Sequence, residues 1–437
     1  MAKNRFDNII SIFNQKIFRI PDYQRGYAWR SDGNKEVEAF WNDLMNLSDG
    51  QSHFTGSLTL QEVPEDEKQR VLGDDAWMVD FQSFTPWFVV DGQQRLTTII
   101  IFIQCLYEFL KDNDTIEKFM GLNKEVTLRE MCNKYLYIAN DEILIKSYIF
   151  GYDKNDTSNN FLKNKIFGDN SVTSNEESYY TLNMENAKSF FKKRIDALYD
   201  EGGKESIQRL YKKVTQQLQF DLIEVAQGND FNIFVAFETI NNRGKQLSNL
   251  EKLKNRLIYL TTYCDKGIKG NVEIVRKKIN QGWSEIYRQL GRNTKISKGK
   301  ISVLSDDEFL KTHWILYYQY SRKTGNDYIN YLLDKKFTVQ NVLEKQASSS
   351  STEEILEDKD EEDSDPLEIQ VDSRNENDDK KIGLEEIHDY VINLKNTARP
   401  WYYTYFPQDA SEGELNQDIK NMMDRINRVG IAYFRPS

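Results

Sequence analysis

The stretch WFVVDGQQRLTTIIIFIQCLYEFL, Trp87–Leu110, constrains this chain more than any other. Four apolar or aromatic residues run into Asp91-Gly92. Two amides, Arg95 and two threonines follow, and then a long apolar segment begins. The first run reads as a buried strand and the last as a buried helix. Between them lies a polar, glycine-marked knuckle that the strand and helix hold rigid.

A strand that ends in Asp91-Gly92 and turns into a helix at Gln93 leaves free backbone N–H groups at a positive helix end, which is a ready anion site. Gly92 lets the backbone approach a phosphate closely, and Arg95 supplies charge-assisted hydrogen bonds one turn in. Asp91 suits a hydrated magnesium ion or an attacking water. The alternative for this motif alone is a helix capped by Asp91, with Gly92 at the turn and Arg95 in solvent.

Two further stretches carry the same chemistry. In IPDYQRGYAWR (20–30), Tyr23, Tyr27 and Trp29 alternate with Arg25 and Arg30. Aromatics beside arginine can stack a nucleobase and grip a phosphate, or simply pack as an aromatic loop. In FETINNRGKQLSNLEKLKN (237–255), Asn241, Arg243, Gly244 and Lys245 precede a helix whose Ser248 and Glu251 form a capping-box signature. Donors and positive charge again meet a helix start, although an ordinary helix connection explains the spacing as well. The basic run 276–300 has eight bases against one acid, as a nucleic-acid track or a solvated face.

Periodicity predicts a helix over 5–14, a strand over 16–21, a helix over 34–47 and a strand over 53–63. Residues 64–86 read as an exposed insertion of mixed charge. Residues 115–217 read as mostly helical with a loop near 151–175, followed by a strand over 218–225. Helices follow over 230–240, 247–260, 270–290, 306–333, 382–398 and 413–432. The expected fold class is α+β, a small mixed sheet near the N-terminus followed by a large, mainly α-helical region.

The formal charge of −11 is local. Residues 352–381 hold 14 acids and 4 bases, so the rest is nearly neutral and leaves room for basic patches. That run follows ASSSS and reads as a disordered linker or long loop. No window is apolar enough for a membrane span, and the N-terminus lacks a signal-peptide core. Cys105, Cys132 and Cys264 are isolated, which fits a reducing cytoplasm. His53, His313 and His388 lie far apart without ligand patterns, and no Walker-type phosphate loop or G-x-S-x-G elbow occurs.

Five segments in order, IPDYQRGYAW (20–29), FTGSLTL (54–60), VVDGQQRLTT (89–98), FETINNRGKQLSNLEKLKN (237–255) and DDEFLKTHW (306–314), resemble the N-terminal region of GmrSD-type, modification-dependent restriction enzymes, with relatives such as SspE and BrxU. The resemblance covers roughly residues 1–345, with a weaker echo at 425–436. It implies a fold similar to ParB and sulfiredoxin over 1–112, completed by 218–260. A helical domain over 113–345, the acidic linker over 346–381 and a helical segment over 382–437 would follow.

The resemblance also implies binding and hydrolysis of a nucleoside triphosphate, GTP or a broader set, with Mg2+ at Asp91. Asp91, Gln94 and Arg95 would be catalytic. Gly92, Gln93 and Thr97 would bind the nucleotide, as would Asn241, Arg243, Gly244 and Lys245 from the helical side. Gln24 and Arg25 would line the same pocket or a neighbouring DNA-sensing one, and Tyr23, Tyr27 and Trp29 would sense DNA or its modification. The implied partners are modified phage DNA and an HNH-type nuclease, with a homo-oligomer left open. Relatives continue into that nuclease, whereas nothing after His388 here supplies a histidine, so cleavage is expected from another domain or chain. The alternative function is a nucleotide-gated DNA clamp or modification sensor without turnover.

Overall fold

The computed structural model describes residues 6–434 apart from 34, 114–117, 121–124, 141–144, 155, 175–176, 226–246, 265–268, 293–303, 320–326 and 344–381. Its strands in chain order are β1 (Phe6–Asn8), β2 (Lys16–Ile20), β3 (His53–Glu62), β4 (Thr85–Asp91), β5 (Lys118–Met120), β6 (Glu125–Thr127), β7 (Tyr137–Asn140), β8 (Ile145–Tyr148), β9 (Phe150–Tyr152) and β10 (Leu218–Val225). Six form one sheet in the order β1-β10-β3-β4-β2-β9, while β5-β6 and β7-β8 are separate hairpins. The β3–β4 and β1–β10 pairs are antiparallel, and β10–β3, β2–β4 and β2–β9 are parallel. The sheet is therefore mixed, and the molecule is α+β as expected.

The helix Gln93–Asp112 is buried along most of its length, from Leu96 through Leu106 to Leu110. Helix Tyr179–Lys212 packs on it, with Phe102 and Phe191 edge to face at 5.4 Å. A second core gathers helices Asn249–Thr261, Lys269–Gly291, Asp306–Tyr317 and Leu384–Tyr405 around Leu253, Trp283, Trp314 and Val391. The acidic run lies outside the described residues, but its flanks meet, because the Ile382 amide donates to the Asn341 carbonyl at 2.9 Å.

Several sequence expectations change. Residues 5–14 are not one helix: Phe6–Asn8 pair with β10, and only Ile9–Ile12 are helical. The span 115–217 contains five strands, one of which, β9, completes the main sheet. The short apolar run Tyr148–Tyr152 satisfies either period, and only pairing with β2 selects the strand. Residues 64–86 are docked rather than an exposed insertion. They form helices Glu65–Leu72 and Trp77–Gln82, which bury Val71, Leu72 and Met78. Asp75 between them meets Arg19 of β2 at 2.6 Å, both nearly inaccessible. Helix 230–240 lies outside the described residues. Among the described residues no helix is long and apolar enough to cross a membrane, and the three cysteines are buried thiols outside any disulfide.

His313 is buried, with Nε2 3.0 Å from Asn393 Oδ1 and Nδ1 unpartnered. Burial pushes its pKa from 6.5 down to about 4. A depressed folded pKa means the unfolded chain binds the proton first, so this stability is fully present above pH 6.5 and is lost as pH falls through about 4. By this linkage, roughly 3 kcal/mol should disappear from the urea-unfolding free energy across that window, and His313→Gln should remove that slope. An unchanged slope in the variant would place the acid sensitivity elsewhere.

Candidate functional site

The knuckle lies where two strands break register. Opposite β3, Thr59 faces Asp91 and Leu60 faces Val89, so Val90 bulges out of β4. A bulge leaves ladder groups unpaired beside the turn, and Gln24 takes them up. Its Nε2 donates to the Val89 and Val90 carbonyls at 2.6 and 2.8 Å. The second slip skips Thr55 between β3 and β10. The Thr55 carbonyl there accepts from Arg95 Nη1 at 3.2 Å.

Glycine is required at two points. Gly92 sits at φ 88°, the left-handed region, as the first residue of the turn. A Cβ there would lie 3.1 Å from the Ser57 carbonyl and 2.9 Å from Leu58. Gly56, at φ +118°, is the floor under the arginine, since a Cβ would come within 1.9 Å of Arg95 Nη1. Asp91 does not cap the helix, and no side chain does. Its Oδ2 instead lies 3.4 Å from Arg95 Nη2. The first turn thus presents uncapped backbone donors beside a guanidinium fixed between Asp91 and Thr55.

These groups open onto a cleft of about 780 Å³, within the size range of ligand sites. Asp91, Gly92, Gln93, Gln94 and Arg95 form one wall, and Gln24, Arg25 and Trp29 approach from the neighbouring loop. Gln93 is buried, and its Oε1 has no partner. Gln94, by contrast, has both ends of its amide engaged. Its Oε1 accepts from the Ala28 amide at 2.7 Å and its Nε2 donates to the Gly26 carbonyl at 3.0 Å. Gln94 and Gln24 are therefore clamps that hold the 20–30 loop to the knuckle.

Other expected site residues fall elsewhere. Tyr27 is fully buried, its hydroxyl 2.7 Å from Thr98 Oγ1, and burial pushes its pKa well up. Tyr23 is 4% exposed and packs in the second core. Neither ring is free to stack on DNA, because the apolar interior outcompetes solvent for these aromatics. Trp29 remains at the cleft wall. Thr97 is buried and does not line the cleft. Asn241, Arg243, Gly244 and Lys245 lie outside the described residues. Their following helix is in place, with Ser248 and Glu251 closing the expected capping box at 2.9 and 3.2 Å. In the basic run, Arg276 is held by Asp22 at 3.2 Å and Arg288 by Glu285 at 2.7 Å.

The sequence reading missed the opposite wall. Glu36, Asp43 and His53 line the same cleft, with His53 Nε2 3.8 Å from Asp43 Oδ2. His53 is the first residue of β3, directly before the FTGSLTL motif, and that adjacency was the available signal. Among the described residues no three His, Cys, Asp or Glu side chains cluster as a ready metal site.

A mixed sheet with a glycine-floored arginine at an uncapped helix start defines an α+β protein with a polar cleft lined by both acidic and basic side chains. Residues 9–258 match the family described as GmrSD restriction endonuclease, N-terminal domain, and the chain belongs to that family. Its role accordingly lies in a restriction system. A search of curated proteins found no match.

Proposed function

We propose that the cleft binds a nucleoside triphosphate, GTP or a broader set, and hydrolyses it to gate a DNA-cleaving nuclease directed at modified phage DNA. The supporting observation is Arg95, fixed between Asp91 and the Thr55 carbonyl at the mouth of an uncapped helix start. Phosphoryl transfer to water needs little more from a protein than positioning and charge neutralisation. The first-turn N–H groups with Arg25 and Arg95 supply both to the phosphates, and Trp29 offers an apolar face to the base. Gln93 Oε1, the unpartnered acceptor, suits an attacking water, while Gln94 acts at one remove by fixing the loop.

Asp91 is the carboxylate that fits a magnesium ion held jointly with phosphates, since this ion is commonly bound by one or two carboxylates and substrate oxygens. When bound there, the ion neutralises charge on the phosphoryl oxygens. Asn241, Arg243, Gly244 and Lys245 complete the nucleotide site in this reading, and an HNH-type nuclease in another domain or chain is its partner.

Phosphate release from each of the four NTPs, with and without magnesium and modified phage DNA, tests the proposal in the wild type and in Arg95→Ala. Turnover that disappears in the variant supports it. Binding without turnover, lost in the variant, replaces it with a nucleotide-gated clamp. Neither binding nor turnover ends it.

A further inference from the structure

Arg25 belongs to two cavities. It lines the cleft, and on its other side it lines a seam of about 30 Å³ between the 23–26 loop and helices Tyr179–Lys212, Asn249–Thr261 and Lys269–Gly291. Such a space holds a water when it has polar partners. Asn280 Oδ1, on the seam wall, is buried and has no partner, while Tyr287 hydrogen-bonds to Tyr180 and Ser248. Across the seam stands Glu251, 8% exposed, accepting from Tyr180 Oη at 2.6 Å and from the Ser248 amide at 2.9 Å. No carboxylate of the described residues comes within ion-pair distance of Arg25. Arg25 is nevertheless the cation acting most strongly on Glu251, although Lys254 shares the seam.

We infer that Glu251 is a positioning residue for Arg25, holding its guanidinium at the cleft through water in the seam. The inference rests on the reading of the cleft as a phosphate site. A buried carboxylate without a contacting cation is costly, so the arrangement gives Glu251 its counter-charge and keeps a long, rotamer-rich side chain in one place. The loop is fixed on both flanks of Arg25, before it by Asp22 to Arg276 at 3.2 Å and by Gln24 to the β4 carbonyls, and after it by Gln94 to the Gly26 carbonyl and the Ala28 amide. Only the arginine itself therefore needs orienting.

Burial, the largest influence, pushes the Glu251 carboxyl up, and Arg25, Tyr180 and the Ser248 amide push it back. Asp306 reinforces the upward shift, and Tyr23, Tyr287, Lys254 and Asp156 complete the ionisable groups around the seam. The ionised form that holds Arg25 is thus lost as pH falls, beginning above the ordinary carboxylate range.

Two measurements test this. The first is a double-mutant cycle of Glu251→Gln and Arg25→Ala in urea. Midpoint shifts that fail to add are expected, and strictly additive shifts overturn the inference whether or not any nucleotide binds. The second is the affinity for a non-hydrolysable GTP analogue between pH 5 and 8. Glu251→Gln should weaken binding about tenfold at pH 8, a typical coupling between sites, and should be flatter with pH than the wild type. Unchanged or tighter binding in Glu251→Gln overturns the inference, the latter because Glu251 would then compete with the ligand for Arg25. A wild type that binds no analogue ends the phosphate-site reading, and the cycle alone then decides whether Glu251 and Arg25 are coupled.

Discussion

Arg95→Ala is expected to lower phosphate release by about 10²–10³-fold, as loss of a fixed donor to a transition state does. Gly56→Ala, which leaves every cleft side chain in the sequence, should approach that loss. The reason is steric. The new methyl would lie 1.9 Å from Arg95 Nη1, so the guanidinium must leave the Thr55 carbonyl and its place beside Asp91. Backbone strain adds to this, since φ +118° at Gly56 disfavours any Cβ, at a cost on the order of 1–3 kcal/mol. The double variant separates the two effects. With Arg95 already removed, the clash has no target, so Gly56→Ala should cost only its strain and little further activity. Full additivity in rate would show that Gly56 acts on something other than Arg95.

Asp75→Ala should destabilise the chain by about 3–5 kcal/mol, the cost of leaving one member of a buried ion pair unpaired. Arg19 is 3% exposed, and burial pulls its pKa down while Asp75 pushes it back up. Its other bonds go to the Phe18 and Tyr148 carbonyls at 2.9 and 3.1 Å, which carry no full charge to replace the carboxylate. The joint change Arg19→Met with Asp75→Leu should recover most of that loss, because an apolar pair of similar volume needs no neutralisation. Urea unfolding of the three variants decides it. A loss below about 1 kcal/mol in Asp75→Ala, the scale of an exposed pair, would mean the pair is solvated and the 64–86 segment only loosely docked.

The strand-knuckle-helix unit was legible because its pattern is local. An apolar run, Asp-Gly and an apolar helix state their own geometry, and Gly92 in the left-handed region is what that geometry required. The capping box at Ser248 and Glu251 was legible for the same reason. The family was legible from five short motifs in order, and its match spans residues 9–258. Much of the site was not legible in this way. Gln94 looked like a catalytic amide, yet its carboxamide is engaged at both ends by the 26–28 loop, 66 and 68 residues away in sequence. Tyr27 looked like a stacking platform, yet it is a pillar of the core. His53 looked isolated, yet the sheet carries it onto the cleft wall beside Asp43.

The sequence by itself determined the elements whose hydrogen bonds and burial close within a few residues, namely the strand β4, the helix after it and the capped helix at 249, and it determined the near-neutral net charge of the body outside the acidic run. Tertiary structure alone decided which polar groups remained available. The β9 strand exists because β2 offers it a partner, and the 64–86 segment docks because Arg19 needs Asp75. Arg95 reaches the cleft because a bulge and a glycine from a distant strand make room for it. A side chain's chemistry is written in its own residue, but whether that chemistry is free depends on partners that only folding brings within bonding distance.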